Sequence, residues 1–174
     1  MYTLERSQWL AAPAEEVWAF LQNPANLDRI TPPDLRFRIV TEVPAIMHDG
    51  LIIEYRIAIP LLGTHAWITE IKHVRPGRSF VDEQRLGPYR FWHHYHEIEP
   101  ECGGVRMLDR VCYLPPFGPL GRLLHLLYIR KILERIFDYR SRQLQRLFTG
   151  DRQLSAKSAD RPAPSSHHPQ STVP

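Results

Sequence analysis

The sequence predicts an α+β fold in which a curved antiparallel sheet of about seven strands wraps around one long C-terminal helix, with two short helices after the first strand. Apolar and polar residues alternate in a series of short segments, as in half-buried strands. Short turns containing Gly or Pro separate most of these segments, which favours antiparallel neighbours. Near residue 120 the apolar spacing changes to three and four residues, as in an amphipathic helix.

The first strand and the two short helices are predicted from local signals. Alternation from Tyr2 to Leu10 indicates the strand. Pro13 suits the first position of a helix, which Asn23-Pro24 ends. The second helix stops before Pro32-Pro33, because the residue before a proline disfavours helical geometry.

Six further strands follow, each with alternating apolar residues. They are predicted over residues 35–42, 51–59, 65–74, 80–86, 89–98 and 105–113. The turn signals between them are Asp49-Gly50, Pro76-Gly77, Gly87-Pro88 and Gly103-Gly104. The long helix is predicted from residue 120 to residue 148.

The chain is predicted to form one domain, residues 1–148, followed by a disordered polar tail, residues 149–174. A length of 174 residues with 43% hydrophobic and 24% charged residues suits one globular domain. The tail is rich in Pro and Ser and has too little apolar content to form a core.

Several classes of protein are excluded by composition. Cys102 and Cys112 form neither a disulfide framework nor a zinc or redox motif. No apolar stretch approaches the roughly 20 residues of a membrane-spanning helix, and we see no signal peptide. We therefore expect a cytoplasmic location.

The net charge of +3 is unevenly distributed, because residues 119–150 carry seven Lys or Arg against two acidic residues. Such a basic helix is either a solvated face or a transient contact with a membrane surface through Arg122, Arg130 and Arg135. Phe137 and Phe148 fall on its apolar stripe and no nucleic-acid motif accompanies it, so we expect no nucleic-acid partner.

Three segments carry a resemblance to a known family: RSQWLAAPAEEVWAFLQNPANLDRITPP, FVDEQRLGPYRFWHHYHEIEP and LPPFGPLG. With the order of elements, they resemble the SRPBCC superfamily, the START-like and birch-pollen-allergen-like helix-grip group. Within it the chain is similar to the cyclase/dehydrase and coenzyme Q-binding branch. The resemblance covers residues 3–148 and implies a large apolar cavity between sheet and helix. Members bind lipids, sterols or quinones, act on polyketides, or hydroxylate rings, and no shared catalytic residues are implied.

A polar cluster is predicted on the sheet face that meets the helix. If Ile98 pairs with Val105, the two neighbouring strands bring His94 opposite Asp109, with Trp92 and His96 on the same face. A tight turn at Gly87-Pro88 would place Glu83 of the preceding strand on the same face. The predicted polar floor of the cavity is therefore Trp92, His94, His96, Asp109 and Glu83.

Three interpretations of this cluster remain open. His94 with Asp109 is a candidate acid–base pair for a cyclase/dehydratase or isomerase. His94 and His96 are candidate metal ligands with Asp109 or Glu83. A buried hydrogen-bond network that orients a ligand's head group is the interpretation we favour, with no metal and no cofactor.

Further aromatic residues are candidates for the cavity wall. Tyr55, Trp67 and Tyr113 lie on strands, while Phe117 lies in a Pro/Gly segment that precedes the long helix and would plug the cavity mouth. The favoured function is a non-enzymatic binding or carrier protein for a hydrophobic small molecule such as a quinone, lipid, polyketide or isoprenoid. The alternatives are the enzyme above and a regulatory interaction module acting through the basic helix.

Overall fold

The computed structural model describes residues 1–59 and 63–150, which form an antiparallel seven-stranded sheet and a long C-terminal helix. The strands are β1 (Tyr2–Leu10), β2 (Arg38–Ile39), β3 (Ile52–Ile59), β4 (Gly63–Arg75), β5 (Ser79–Leu86), β6 (Phe91–Glu101) and β7 (Gly104–Leu114). Their order across the sheet is β1-β7-β6-β5-β4-β3-β2. The predicted fold class is confirmed. The predicted tail lies, from residue 151 onward, outside the described residues.

The helices lie in two groups. Helix α1 (Ala14–Leu21) follows β1, and 3₁₀ turns follow at Pro24–Ile30 and Pro33–Leu35. The C-terminal helix comprises α2 (Gly118–Leu124), a π turn (His125–Ile129), α3 (Arg130–Gln145) and a second π turn (Arg146–Gly150). No helix among the described residues is long and apolar enough to cross a membrane.

Strand β2 is much shorter than the predicted strand over residues 35–42. Pro33 begins a 3₁₀ turn that includes Leu35, and Arg36 ends it in the left-handed region with φ 44°. The chain therefore reaches extended geometry only at Arg38. Local turn chemistry outweighs the alternation of apolar residues here.

The β6–β7 hairpin is tighter than predicted. Glu101 pairs with Gly104, so that His96 lies opposite Asp109 and His94 lies opposite Val111. The predicted pairing of His94 with Asp109 is wrong by two residues, because the turn contains fewer residues than assumed. A shift of two preserves the face on which each side chain lies, so the histidines remain together on the inner face, the one that meets the C-terminal helix.

The register of β5 against β6 differs by one residue from the one that the predicted tight turn gives, and this exchanges the two faces of β5. Asp82 pairs with His94 and lies on the inner face. The prediction that Glu83 lies there is wrong, since its carboxylate pairs with Lys72 Nζ at 2.8 Å on the opposite face. Gln84 accounts for the wider loop, because its side chain hydrogen-bonds both the N–H and the carbonyl of Tyr89.

The C-terminal helix packs on the inner face through buried residues at helical spacing. Leu133, Phe137 and Leu144 form this stripe and belong to the same apolar core as the sheet. Phe137 makes an edge contact with the His94 ring, with centroids 5.2 Å apart. The helix and the polar cluster of the sheet are therefore in direct contact.

Candidate functional site

A cavity of about 170 Å³ lies between the inner face, the turn after α1 and the C-terminal helix. Most of its lining is aliphatic or aromatic, and its charged or ionisable side chains include Asp82, His94, His96 and Arg140. An apolar space with a few polar groups at fixed positions is typical of small-molecule sites.

Six of the nine predicted site residues lie in the cavity lining or directly against it. Tyr55, Trp67, Trp92, His94 and His96 line the cavity. Asp109 is only 3% exposed and lies against the two imidazoles without being part of the lining.

Three predicted residues lie elsewhere. Tyr113 is buried beside the cavity and its hydroxyl lies 2.8 Å from His125 Nε2. Phe117 is 73% exposed and does not line the cavity, so it does not plug the mouth in this structure. Glu83 is on the opposite face, as described above.

Three adjacent strands contribute side chains to the polar cluster. Strand β6 presents His94 and His96 two residues apart, with ring centroids separated by 3.7 Å. Asp82 comes from β5 opposite His94, and Asp109 comes from β7 opposite His96. We call these four residues the His–Asp cluster.

Each imidazole of the His–Asp cluster lies between the two carboxylates. His94 Nδ1 is 3.0 Å from Asp82 Oδ2, and its Nε2 is 3.1 Å from Asp109 Oδ1. His96 Nε2 is 3.1 Å from Asp82 Oδ2, and its Nδ1 is 2.8 Å from Asp109 Oδ1, although this last contact lacks hydrogen-bond geometry. All four ring nitrogens thus lie within 3.1 Å of one of the same two carboxylate oxygens.

Aromatic neighbours fix the orientation of the cluster. Trp92 Nε1 donates to Asp82 Oδ1 at 3.0 Å. Phe80 stacks on His96 with ring centroids 4.2 Å apart. These contacts leave the imidazoles little freedom to rotate, so the cavity meets a pre-organised polar wall.

Burial and ion pairing shift the pKa values of the cluster in opposite directions. Burial raises the pKa values of Asp82 and Asp109, but the adjacent imidazoles outweigh it and hold both pKa values far below their ordinary range. Burial lowers the pKa of His96, but the close contacts and negative charges of Asp109 and Asp82 outweigh it and raise that pKa above its ordinary value. The cluster therefore holds two carboxylates that are ionised at neutral pH and a His96 ring whose pKa is raised.

A family model described as "Domain of unknown function (DUF8410)" matches residues 8–148. The chain belongs to the DUF8410 family. A comparison with curated proteins finds no match.

Solved structures similar to this DUF8410 chain show a helix-grip-like fold. Protein Ms6760 from Mycobacterium smegmatis is 20% identical, with 86% of this chain and 92% of that chain covered and a TM-score of 0.63. The nucleoside-diphosphate sugar epimerase from Corynebacterium glutamicum is 22% identical over 90% of this chain and 30% of that chain, with a TM-score of 0.62. Ara h 8.0201 is 14% identical, with 82% of this chain and 97% of that chain covered and a TM-score of 0.53.

Asp82, His94 and His96 of the DUF8410 chain also offer a possible metal-ligand set. One ligand atom from each lies within 4.8 Å of the others, and two imidazoles with one carboxylate suit a transition metal. Coordination needs the deprotonated imidazole, whereas Asp82 and Asp109 favour the protonated form of His96. Ion pairing and metal binding therefore compete for the same nitrogens.

Two residues of this site are absent from the set predicted from the sequence. The predicted tight turn places Asp82 on the outer face, because the length of the Gly87–Arg90 loop is not visible in the alternation pattern. Arg140 enters the prediction only as one of the basic residues of the helix. Its spacing of three from Phe137 and four from Leu144 places it on the apolar stripe, and that signal is present in the sequence.

Proposed function

We propose that the protein binds a hydrophobic small molecule in the cavity between the sheet and the C-terminal helix, with its polar end at the His–Asp cluster. Candidate ligands are a quinone, lipid, polyketide or isoprenoid. The proposal includes the cyclase/dehydrase and coenzyme Q-binding branch of the SRPBCC superfamily and a cytoplasmic location.

The observation that carries this proposal is an apolar cavity with a buried ionic wall on one side. A sheet and helix that packed only for stability would fill such a space, because each unfilled volume costs packing energy. A volume near 170 Å³ suits one aromatic ring, since a cavity of about 150 Å³ accepts benzene.

Adjacent residues of β3 provide a matched test. Ile53 lines the cavity and is 4% exposed, whereas Ile52 is 48% exposed. Ile53→Phe fills part of the cavity, so we expect affinity for quinone, isoprenoid and lipid ligands to fall at least tenfold, about 1.4 kcal/mol. Ile52→Phe is the control. Native mass spectrometry of protein purified from its host, with fluorescence quenching of the cavity-lining Trp67 and Trp92, measures occupancy and affinity.

Two results would refute the binding proposal. One is a protein that carries no ligand and takes up none from lipid and quinone extracts. The other is an equal effect of the two Phe substitutions.

The enzymatic alternative rests on His94, which lines the cavity while contacting Asp82 and Asp109. Both of its ring nitrogens contact carboxylates, so it would have to give up one of these contacts to exchange a proton with a bound ligand. His94→Gln should leave ligand affinity within about tenfold if the residue only orients a head group. Turnover that is lost while binding survives would favour a cyclase/dehydratase or isomerase.

We also propose that the start of the C-terminal helix docks on an anionic lipid surface. Large apolar side chains are about half exposed or more at Phe117, Leu120, Leu123, Leu126, Leu127 and Tyr128. We call residues 117–128 the exposed apolar segment. Arg122, Arg130 and Lys131 are exposed beside it, and residues 115–133 contain no acidic residue.

The combination of apolar surface and one sign of charge fits an anionic bilayer better than a second copy, which would bring like charges together. Arg135, predicted to share this role, instead donates two hydrogen bonds to the Asp34 carboxylate at 2.8 and 3.0 Å. It therefore serves as the control arginine.

A further inference from the structure

Arg140 on α3 is a buried cation that faces the cavity. It is 9% exposed and lines the cavity. Within residues 1–59 and 63–150 no carboxylate pairs with it, and its Nε–H has no hydrogen-bond acceptor. Its guanidinium lies over the Phe137 ring, 5.0 Å from the centroid. By contrast, Arg130 and Arg135 of the same helix are exposed and pair with Glu134 and Asp34.

An unpaired guanidinium at this position is energetically costly. Arg does not lose its proton in proteins, so burial cannot neutralise it as it does a lysine or a carboxylic acid. The contact with Phe137 offsets only part of the cost of removing a full charge from water. An apolar residue at this point of the stripe would stabilise the helix better.

A second buried donor lines the same cavity. Trp67 Nε1–H has no acceptor among the described residues. Burial raises the pKa of Tyr55, and the Asp82 carboxylate raises it further while Arg140 opposes it, so Tyr55 lies within electrostatic reach of both charges. The phenol of Tyr55 therefore stays protonated. In the described part of the chain, Trp67 Nε1–H and Arg140 Nε–H are buried donors of the cavity wall that lack an acceptor.

We propose that the ligand is an organic acid, an apolar body with a single carboxylate that pairs with the guanidinium of Arg140. This inference rests on the proposed function, adds the chemical class of the ligand, and takes Arg140 rather than the His–Asp cluster as the partner of its charged end. A carboxylate supplies the missing charge and acceptors, and it matches the planar guanidinium. A phosphate monoester would bring a second negative charge that one arginine does not balance.

Two matched ligand pairs test the inference on the full chain by isothermal titration calorimetry at pH 7: 2-naphthoic acid with 2-naphthamide, and decanoic acid with decanol. We expect each acid to bind at least tenfold more tightly than its neutral partner. Arg140→Met should remove that preference by weakening only the acids. Arg142→Met, an exposed arginine on the same helix, should change neither.

The outcomes separate the two proposals. Neutral partners that bind as tightly as the acids, or Arg140→Met weakening both members equally, would overturn the acid inference and leave the binding function standing. Wild-type protein that binds none of the four compounds would overturn the acid inference, and uptake from lipid and quinone extracts would then decide the binding function.

Thermal unfolding of the ligand-free protein gives an independent readout. Arg140→Met should have an unchanged or higher Tm, because it removes an unpaired buried charge. A fall of more than about 4 °C, or a variant that does not fold, would mean that Arg140 already has a stabilising partner within the protein and would refute the inference.

Discussion

Asp82 and Glu83 are neighbours on β5 with opposite surroundings. Asp82 contacts both imidazoles and accepts the Trp92 N–H, whereas Glu83 forms a partly exposed pair with Lys72. Asp82→Asn leaves a buried ionic cluster incomplete, so we expect the free energy of unfolding to fall by about 3 kcal/mol. Glu83→Gln should cost less than about 1 kcal/mol. Urea denaturation of both variants measures the difference, and a larger loss for Glu83→Gln would contradict the assignment of faces.

At the level of elements, the sequence pattern predicted the strands well and their registers less well. Alternation sets which residues share a face within one strand. His94 and His96 are two residues apart, so they lie on the same face whatever the register of the neighbouring strands. Pairing between strands depends on loop length. The predicted register of β6 against β7 was wrong by two residues, an even number, so every side chain kept its predicted face. The predicted register of β5 against β6 was wrong by an odd number, so Asp82 and not Glu83 lies on the inner face. The side-chain hydrogen bonds between Gln84 and Tyr89 hold the second loop, and the alternation of apolar and polar residues does not encode them.

The exposed apolar segment is the element that tests membrane docking. We expect wild-type protein to sediment with vesicles of about 30% phosphatidylglycerol in phosphatidylcholine at low salt, and less at high salt because the charges are screened. Leu123→Ser with Leu127→Ser should weaken binding at least tenfold, since both side chains would leave the apolar interface. Arg122→Gln with Lys131→Gln should also weaken it, because both cations are exposed beside the segment whereas Arg130 already pairs with Glu134.

Arg135→Gln provides the matched control, because Asp34 already occupies that arginine. Equal binding to vesicles of pure phosphatidylcholine would refute the electrostatic part of this proposal. A dimer in solution that the Leu→Ser changes abolish, with no vesicle binding, would identify a second copy as the occupant.

For the whole molecule, the His–Asp cluster makes stability depend on pH, because it joins β5, β6 and β7 beneath the C-terminal helix. The pKa of His96 is raised above its ordinary 6.5, so its contribution is complete below that pH and is lost as pH rises through the higher folded value. The pKa values of Asp82 and Asp109 are lowered from 3.8, so their contribution is complete above that pH and is lost as pH falls through the lower folded values. The cluster therefore stabilises the fold most between these limits.

Thermal unfolding measured from pH 3 to pH 9 tests this dependence. We expect the Tm of wild-type protein to fall from pH 6 to pH 9. The Tm of His96→Gln should fall less over the same range, because glutamine has no group that titrates there. His93→Gln, which changes the outer face of the same strand, should keep the wild-type slope. Parallel Tm curves for wild-type and His96→Gln would show that His96 has the same pKa in the folded and unfolded chains, and the ionic wall of the cavity would then have to be reassigned to the other members of the cluster.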